Sequence, residues 1–308
     1  MKIHSFNEWD RLREIIVGTA TNANWPSDDP VFSKENEKTT WKETPVPSGP
    51  VPRWIIDETN EDLDGLVRIL EQAHVTVRRP ADIDYQKSGG MYNYCPRDRV
   101  LIAGDTVVDV AMMYPCRTQE IYAIEWLVDH GHKFVTMPRN QNLICDAANI
   151  CRLNDQWLFL ESPSGNRAAA EWLAEKFPEI DIYGCDFYAG VHIDSTIVPL
   201  NEGTVMLNAG RVNERNCPKI FDDWDKIWIS DSDIVAQDFY QYPYASKWIG
   251  MNTLSIDPQT VIVDASQTEI IKRLEQKKFT VIPHTLRHSR TLGGGFHCVT
   301  LDTWREND

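Results

Sequence analysis

The chain has 308 residues, 42% of them hydrophobic and 25% charged, and a net charge of -15 from 31 basic and 46 acidic side chains. That composition belongs to a globular protein with enough apolar material for a core. Its acidity argues against nucleic acid or an anionic membrane surface as a partner, and suits a small cationic substrate.

The N-terminal MKIHSFNEWDRLREI has no apolar h-region and is not read as a signal peptide. No run approaches 18 apolar residues, so no membrane span is expected. The seven cysteines, Cys95, Cys116, Cys145, Cys151, Cys185, Cys217 and Cys298, form no CxxC pair and are odd in number. They do not read as a disulfide framework or a structural zinc site, and a reducing, cytoplasmic setting is expected.

In chain order, residues 11–18 (RLREIIVG) read as a strand. Residues 24–53, rich in Pro, Ser, Thr and charge with little periodicity, read as a long loop over one end of the domain. A helix-then-strand unit then recurs at residues 63–80, 122–138, 168–184 and 268–284, with a weaker copy at 217–230. Between these units lie four hairpins, at 99–112, 149–162, 195–209 and 253–266, turning at Gly104-Asp105, Asn154-Asp155, Asn201-Glu202-Gly203 and Asp257-Pro258. A fifth hairpin is expected from the chain ends, residues 11–18 pairing with 296–303. The expected architecture is one α/β domain over residues 1–308: a five-module pseudo-symmetric propeller closed by its N- and C-terminal strands.

Residues with reactive side chains fall at matching places in these modules. Asp98 precedes the first hairpin, Asp146 the second, His192 and Asp194 the third, Ser246 the fourth, and Cys298 lies near the start of the closing strand. Asp98 to Asp146 is 48 residues and Asp146 to His192 is 46. In a pseudo-symmetric ring such positions share one mouth of the central channel. Singly, an aspartate before a hairpin is usually a turn former and a cysteine after glycines is usually a small buried residue. Together they read as a site.

These residue types suit chemistry on a guanidinium, which is planar, cationic and a poor electrophile. Asp98 and Asp194 can hold its N–H groups. A Cys298 thiolate can attack its carbon, His192 can protonate the departing amine, and Asp146 can orient the imidazole. His192 and Asp194, two apart, would face the same way on a strand. The run Gly293–Gly295 allows close backbone approach or a tight turn beneath the nucleophile.

Eight segments resemble the amidinotransferase family, which includes arginine:glycine amidinotransferase: residues 5–18, CPRD (95–98), DAAN (146–149), HIDST (192–196), Asn208–Arg211, ASKW (245–248), MNTLSID (251–257) and LGGGFHCVT (292–300). The resemblance spans nearly the whole chain. It implies the five-module α/β propeller, Cys298 as carrier of the amidino group, Asp146 and His192 as its catalytic pair, and Asp98 and Asp194 as ligands of the donor guanidinium. It further implies Arg211 and Ser246 as ligands of the donor's α-carboxylate and α-amino groups. No metal or organic cofactor is implied. The family's Ser-Ser-Lys reads Ala245-Ser246-Lys247 here, and the segment before the catalytic histidine, CDFYAGVHID, lacks the proline of the glycine-specific enzymes, so glycine is not implied as the acceptor.

The expected function is therefore arginine-dependent amidino transfer to a primary amine, with ornithine released. A hydrolase of the same superfamily (a deiminase or dihydrolase) is the first alternative, and a non-enzymatic binding module the second. A homodimer is left open.

Overall fold

The computed structural model describes residues 1–37, 45–129, 132–187 and 192–306. The chain begins with β1 (Arg11–Val17), then β2 (Asn24–Trp25), α1 (Pro30–Glu37), β3 (Gly49–Pro50), α2 (Arg53–Gln72) and β4 (Thr76–Arg78). Two short helices, α3 (Tyr85–Ser88) and α4 (Pro96–Arg99), lead into the hairpin β5 (Val100–Ala103) and β6 (Thr106–Asp109). A 3-10 stretch at 115–124 and α5 (Trp126–Asp129) carry the chain to β7 (Lys133–Thr136). The next unit is β8 (Ile150–Leu153), β9 (Gln156–Leu160), α6 (Arg167–Lys176) and β10 (Asp181–Cys185). It is followed by β11 (Ile197–Asn201), β12 (Thr204–Asn208) and β13 (Asp225–Ile229), then by β14 (Leu254–Asp257), β15 (Thr260–Asp264), α7 (Thr268–Gln276) and β16 (Thr280–His284). The chain closes with α8 (Ser289–Leu292) and β17 (Thr300–Glu306).

Among the described residues these strands form five three-stranded sheets, in the orders β17-β1-β4, β5-β6-β7, β8-β9-β10, β11-β12-β13 and β14-β15-β16. Each has an antiparallel pair and a third strand added in parallel after a crossover. The expected pairing of the chain ends is present, with Arg11 opposite Glu306 and Val17 opposite Thr300. The sheets are separate, and no sheet closes on itself.

The burial of each strand follows its composition. β5 (VLIA) and β6 (TVVD) are buried along their whole length, the continuous apolar run of a strand covered on both faces. The third strands β4, β7, β10 and β16 are partly or fully exposed. Leu63, Leu66 and Leu70 recur at helical spacing on α2 and are fully buried. The weak repeat at 217–230 keeps its strand, but its helix shrinks to a 3-10 turn at Lys219–Phe221, flanked by Pro218 and the poor helix formers Asp222 and Asp223. Among the described residues no helix is long and apolar enough to cross a membrane.

Residues 24–53 differ from the plain loop expected. Their ends pair as β2 and β3, and α1 lies between. Asp29 accepts the backbone N–H of Val31 and Phe32 through Oδ1 and that of Cys116 through Oδ2. Trp25 and Phe32 are buried against Tyr244, and Phe32 also packs on Tyr114. Apolar anchors too far apart in sequence to form a periodic pattern tie this segment down. Residues 38–44 lie outside the described structure.

The fold also contains a buried ionic cluster. Arg152 of β8 pairs with Glu8 at 2.7 Å and with Asp302 of β17 at 2.9 Å, and Asp302 also takes Arg97 at 2.5 Å and Arg305 at 2.9 Å. It joins the two chain ends to the second and third sheets. Glu8 and Asp302 are held well below the usual carboxylate range: burial opposes their ionisation, and the surrounding arginines overcome it.

Candidate active site

Asp98, Asp146, His192, Asp194 and Cys298 each lie just before a strand of a hairpin. Asp98 is in α4, two residues ahead of β5. Asp146 is the N-cap of a 3-10 turn, Ala147–Asn149, that leads into β8. His192 and Asp194 precede β11, and Cys298 precedes β17. Two local expectations are corrected. Residues 192–194 form a turn rather than a strand, with His192 in the left-handed region at φ 62, so the alternation argument does not apply to them. The closing strand begins at Thr300, leaving Cys298 on the turn before it.

His192 and Asp146 form a pair, Nε2 to Oδ2 at 3.1 Å. The other Asp146 oxygen accepts the Met113 N–H at 2.9 Å, and the Asn149 side chain accepts the His192 backbone N–H at 3.0 Å. Asp146 thereby holds the imidazole and Asn149 holds the backbone that carries it. Its Nδ1 lies 3.6 Å from Asp98 Oδ1. Burial opposes charging of His192, but Asp98 first, and then Asp146 and Asp194, raise its pKa to about 9. The ring is therefore an imidazolium at neutral pH, poised to give a proton.

Asp98 is 2% exposed. Its Oδ2 accepts from Arg117 Nη1 at 2.8 Å, while its Oδ1, buried and 3.6 Å from His192 Nδ1, has no hydrogen-bond partner among the described residues. Arg117 makes a second, two-point pair with Glu120, both contacts at 2.9 Å, and lies over the Tyr92 ring. A buried carboxylate oxygen left open in this way carries a desolvation penalty until a donor reaches it.

Cys298 is 2% exposed, and its thiol donates to Asp194 Oδ2 at 3.2 Å. Burial pushes the thiol well above its ordinary pKa, and the charges of Asp194 and Asp98 add to the shift. A cation arriving between these carboxylates reverses that balance. The turn carrying Cys298 is held by Asn252, whose Oδ1 accepts the backbone N–H of His297 at 2.9 Å and of Cys298 at 3.0 Å, while its Nδ2 donates to the Asp194 carbonyl at 3.3 Å. The preceding glycines make this possible. Gly293 has φ +84, a Cβ on Gly294 would lie 2.4 Å from Cys95 Sγ, and one on Gly295 would lie 2.7 Å from Asn252 Cβ.

The two residues expected at the donor's amino-acid end come from the segments after β12 and before β14. Arg211 is half-buried and tethered to the turn after Asp194, Nη1 to Thr196 Oγ1 at 2.7 Å. Ser246 is exposed at the N-cap of the 3-10 helix Lys247–Met251, and its neighbour Lys247 is paired with Asp231 at 2.6 Å. From the fourth module, Asn252 rather than Ser246 reaches the nucleophile.

Four residues of the site escape sequence reasoning: Arg117, Glu8, Asn252 and His297. Asn252 stands at the module position where Asp98 and Asp146 stand in theirs, and could have been found by that rule. His297 adjoins the cysteine but is one of eight histidines with no spacing signal of its own. Arg117 lies in an irregular 3-10 segment, and Glu8 near the chain start, where nothing local marks either of them.

No family model matches the chain. Inosamine-phosphate amidinotransferase 1 of Streptomyces griseus is 36% identical over 334 aligned residues, covering 97% of this chain and 96% of that protein. The L-arginine:L-lysine amidinotransferase of Pseudomonas savastanoi pv. phaseolicola is 28% identical, covering 98% and 94%. The solved structure of an inosamine-phosphate amidinotransferase from Streptomyces griseus superposes with a TM-score of 0.91 at 35% identity, covering 99% of this chain and 97% of that one. With the thiol, the His–Asp pair and the flanking carboxylates gathered before the strands of an α/β fold, and relatives of this identity along almost its full length, the chain belongs to the amidinotransferase family and is a transferase.

Proposed function

We propose that the protein moves the amidino group of L-arginine, through a covalent amidino-cysteine at Cys298, to a primary amine, and releases ornithine. The observation that carries this reading is the open, buried Asp98 Oδ1 in the same centre as His192, Asp194 and the Cys298 thiol. A guanidinium laid between Asp98 and Asp194 gives that oxygen its donor and offsets the two charges that keep the thiol protonated.

As the cation binds, the Cys298 thiol gives up its proton to solvent, and the resulting thiolate attacks the guanidinium carbon. His192, held by Asp146, gives its proton to the departing amine as the carbon–nitrogen bond breaks, and ornithine leaves. The acceptor amine attacks the adduct and gives a proton back to His192 as the carbon–sulfur bond breaks, which restores the thiolate. Arg211 and Ser246 are assigned to the donor's α-carboxylate and α-amino groups, a role for which the planar fork of Arg211 is suited. The five sheets are assigned to one closed ring over residues 1–308 with this centre at one mouth, the β1–β17 pairing supplying the closure. No metal or organic cofactor takes part, the setting is cytoplasmic, and the number of subunits is left open. The segment CDFYAGVHID would border the acceptor, but residues 188–191 lie outside the described structure.

Incubation with arginine followed by intact-mass measurement tests the reading. The protein should gain one amidino group and form ornithine, and addition of the right member of a panel of primary amines should discharge the adduct as a guanidino product. A Cys298→Ala chain that still gains the adduct or still makes ornithine would sink it. Citrulline or ammonia formed without any amine would instead favour a hydrolase.

A further inference from the structure

The chemistry above uses His192 and leaves a second histidine, adjacent to Cys298 in the chain, without a task. His297 is buried between two carboxylates. Its Nδ1 lies 2.9 Å from Asp194 Oδ2 and its Nε2 lies 3.2 Å from Glu8 Oε2. The Asp194 oxygen that meets His297 is the same atom that accepts the Cys298 thiol at 3.2 Å. Glu8, His297, Asp194 and Cys298 thus form one chain of contacts ending on the sulfur. Both ring nitrogens face carboxylate oxygens, which only accept, so both contacts are hydrogen bonds only when each nitrogen bears a proton.

We propose that His297 is a positioning residue of the transfer reaction: held by both ring nitrogens between Glu8 and Asp194, it keeps a positive charge beside Cys298, aims Asp194 Oδ2 at the sulfur, and so sets the pH at which Cys298 becomes reactive. The inference rests on Cys298 being the nucleophile. The groups facing His297 are Asp194 on the turn before β11, Glu8 near the chain start, and Arg97 of α4. Those facing Cys298 are Asp194, Asp98 and Cys95. Burial and the charge of Arg97 oppose protonation of His297, and the contacts with Asp194 and Glu8 overcome them, leaving its pKa above the ordinary histidine value. Asp194 in turn, although buried, is held below the usual carboxylate range by His297 first.

The charge has a distinct consequence. The carboxylates around Cys298 disfavour a thiolate, and His297 is the cation on the Asp194 side that offsets them before substrate arrives. A neutral residue in its place, even one that still donates to Asp194, removes the charge and favours the proton on sulfur.

The test is the pH dependence of Cys298 alkylation by iodoacetamide, read on the peptide containing Cys298, in the parent chain and in His297→Asn, whose amide can still donate to Asp194 but carries no charge. The variant should be alkylated about tenfold or more slowly at pH 8, its profile displaced upward by about one pH unit. A rate equal to or faster than the parent's overturns the proposal. Faster reaction is what loosening of a purely structural turn would produce, because Cys298 is buried. Should the variant fail to fold, histidine NMR of the parent decides: a doubly protonated His297 ring at pH 7 supports the role, and a neutral ring overturns it. Alkylation needs neither arginine nor acceptor. A failed transfer assay with a displaced alkylation profile would therefore overturn the substrate assignment and leave standing only the control of Cys298 reactivity by His297.

Discussion

The two ends of the hairpins are built from similar residues and do different things. At the end where the strands begin, Asp98, Asp146 and Asp194 are each less than a tenth exposed and bonded to Arg117, His192 and His297. At the end where the hairpins turn, Asp105, Asp155 and Glu202 line an open basin of about 900 Å3 together with Phe6 and Trp9. The Asp105 side chain there is 54% exposed, even where it meets His4, against 4% for Asp98. Solvent screens charge at the turn end, whereas at the strand-start end burial turns the same carboxylates into groups that raise the His192 and Cys298 pKa values. Acidic residues thus become a reaction centre through desolvation and partners, not through number.

The contrast breaks most sharply at the nucleophile. Cys298→Ala should lower arginine-dependent transfer by on the order of 10^4-fold or more, measured as ornithine formed. His192→Asn and Asp146→Asn should each lower kcat by about 10^2- to 10^4-fold, because one removes the acid and the other its orientation. Arg117→Met leaves Asp98 and Glu120 buried without their shared cation, and should cost about 3–5 kcal/mol in a denaturant titration.

Because the pKa of His192 is raised from 6.5 to about 9 on folding, its pairing stabilises the protein fully below pH 6.5 and fades as pH climbs to about 9. The fade should be on the order of 3 kcal/mol in the parent, should be missing from His192→Asn, and should be accompanied by an alkaline fall in activity near the same pH. At the other end, Asp155→Asn and Glu202→Gln should change stability by no more than about 0.5 kcal/mol and leave transfer unchanged. A large effect there would show that the turn end is more than a solvated surface.

What the sequence determined by itself is the repeat. Two-residue turns such as Gly104-Asp105 and Asn154-Asp155, apolar strands on either side and amphipathic runs such as residues 268–276 are local signals, and they place Asp98, Asp146, His192 and Cys298 at equivalent positions. The pairing of β1 with β17 was legible for the same reason, since both chain ends read as strands without a local partner. The tertiary structure alone decided how that position becomes chemistry. Asn252 grips the Cys298 turn from 46 residues away, Arg117 neutralises Asp98 from 19 away, and Glu8 reaches His297 from 289 away. These partners are single polar side chains in irregular segments, with no periodicity to mark them. Each was selected by the need to satisfy a buried charge or backbone N–H, a demand that exists only once the chain has closed around it.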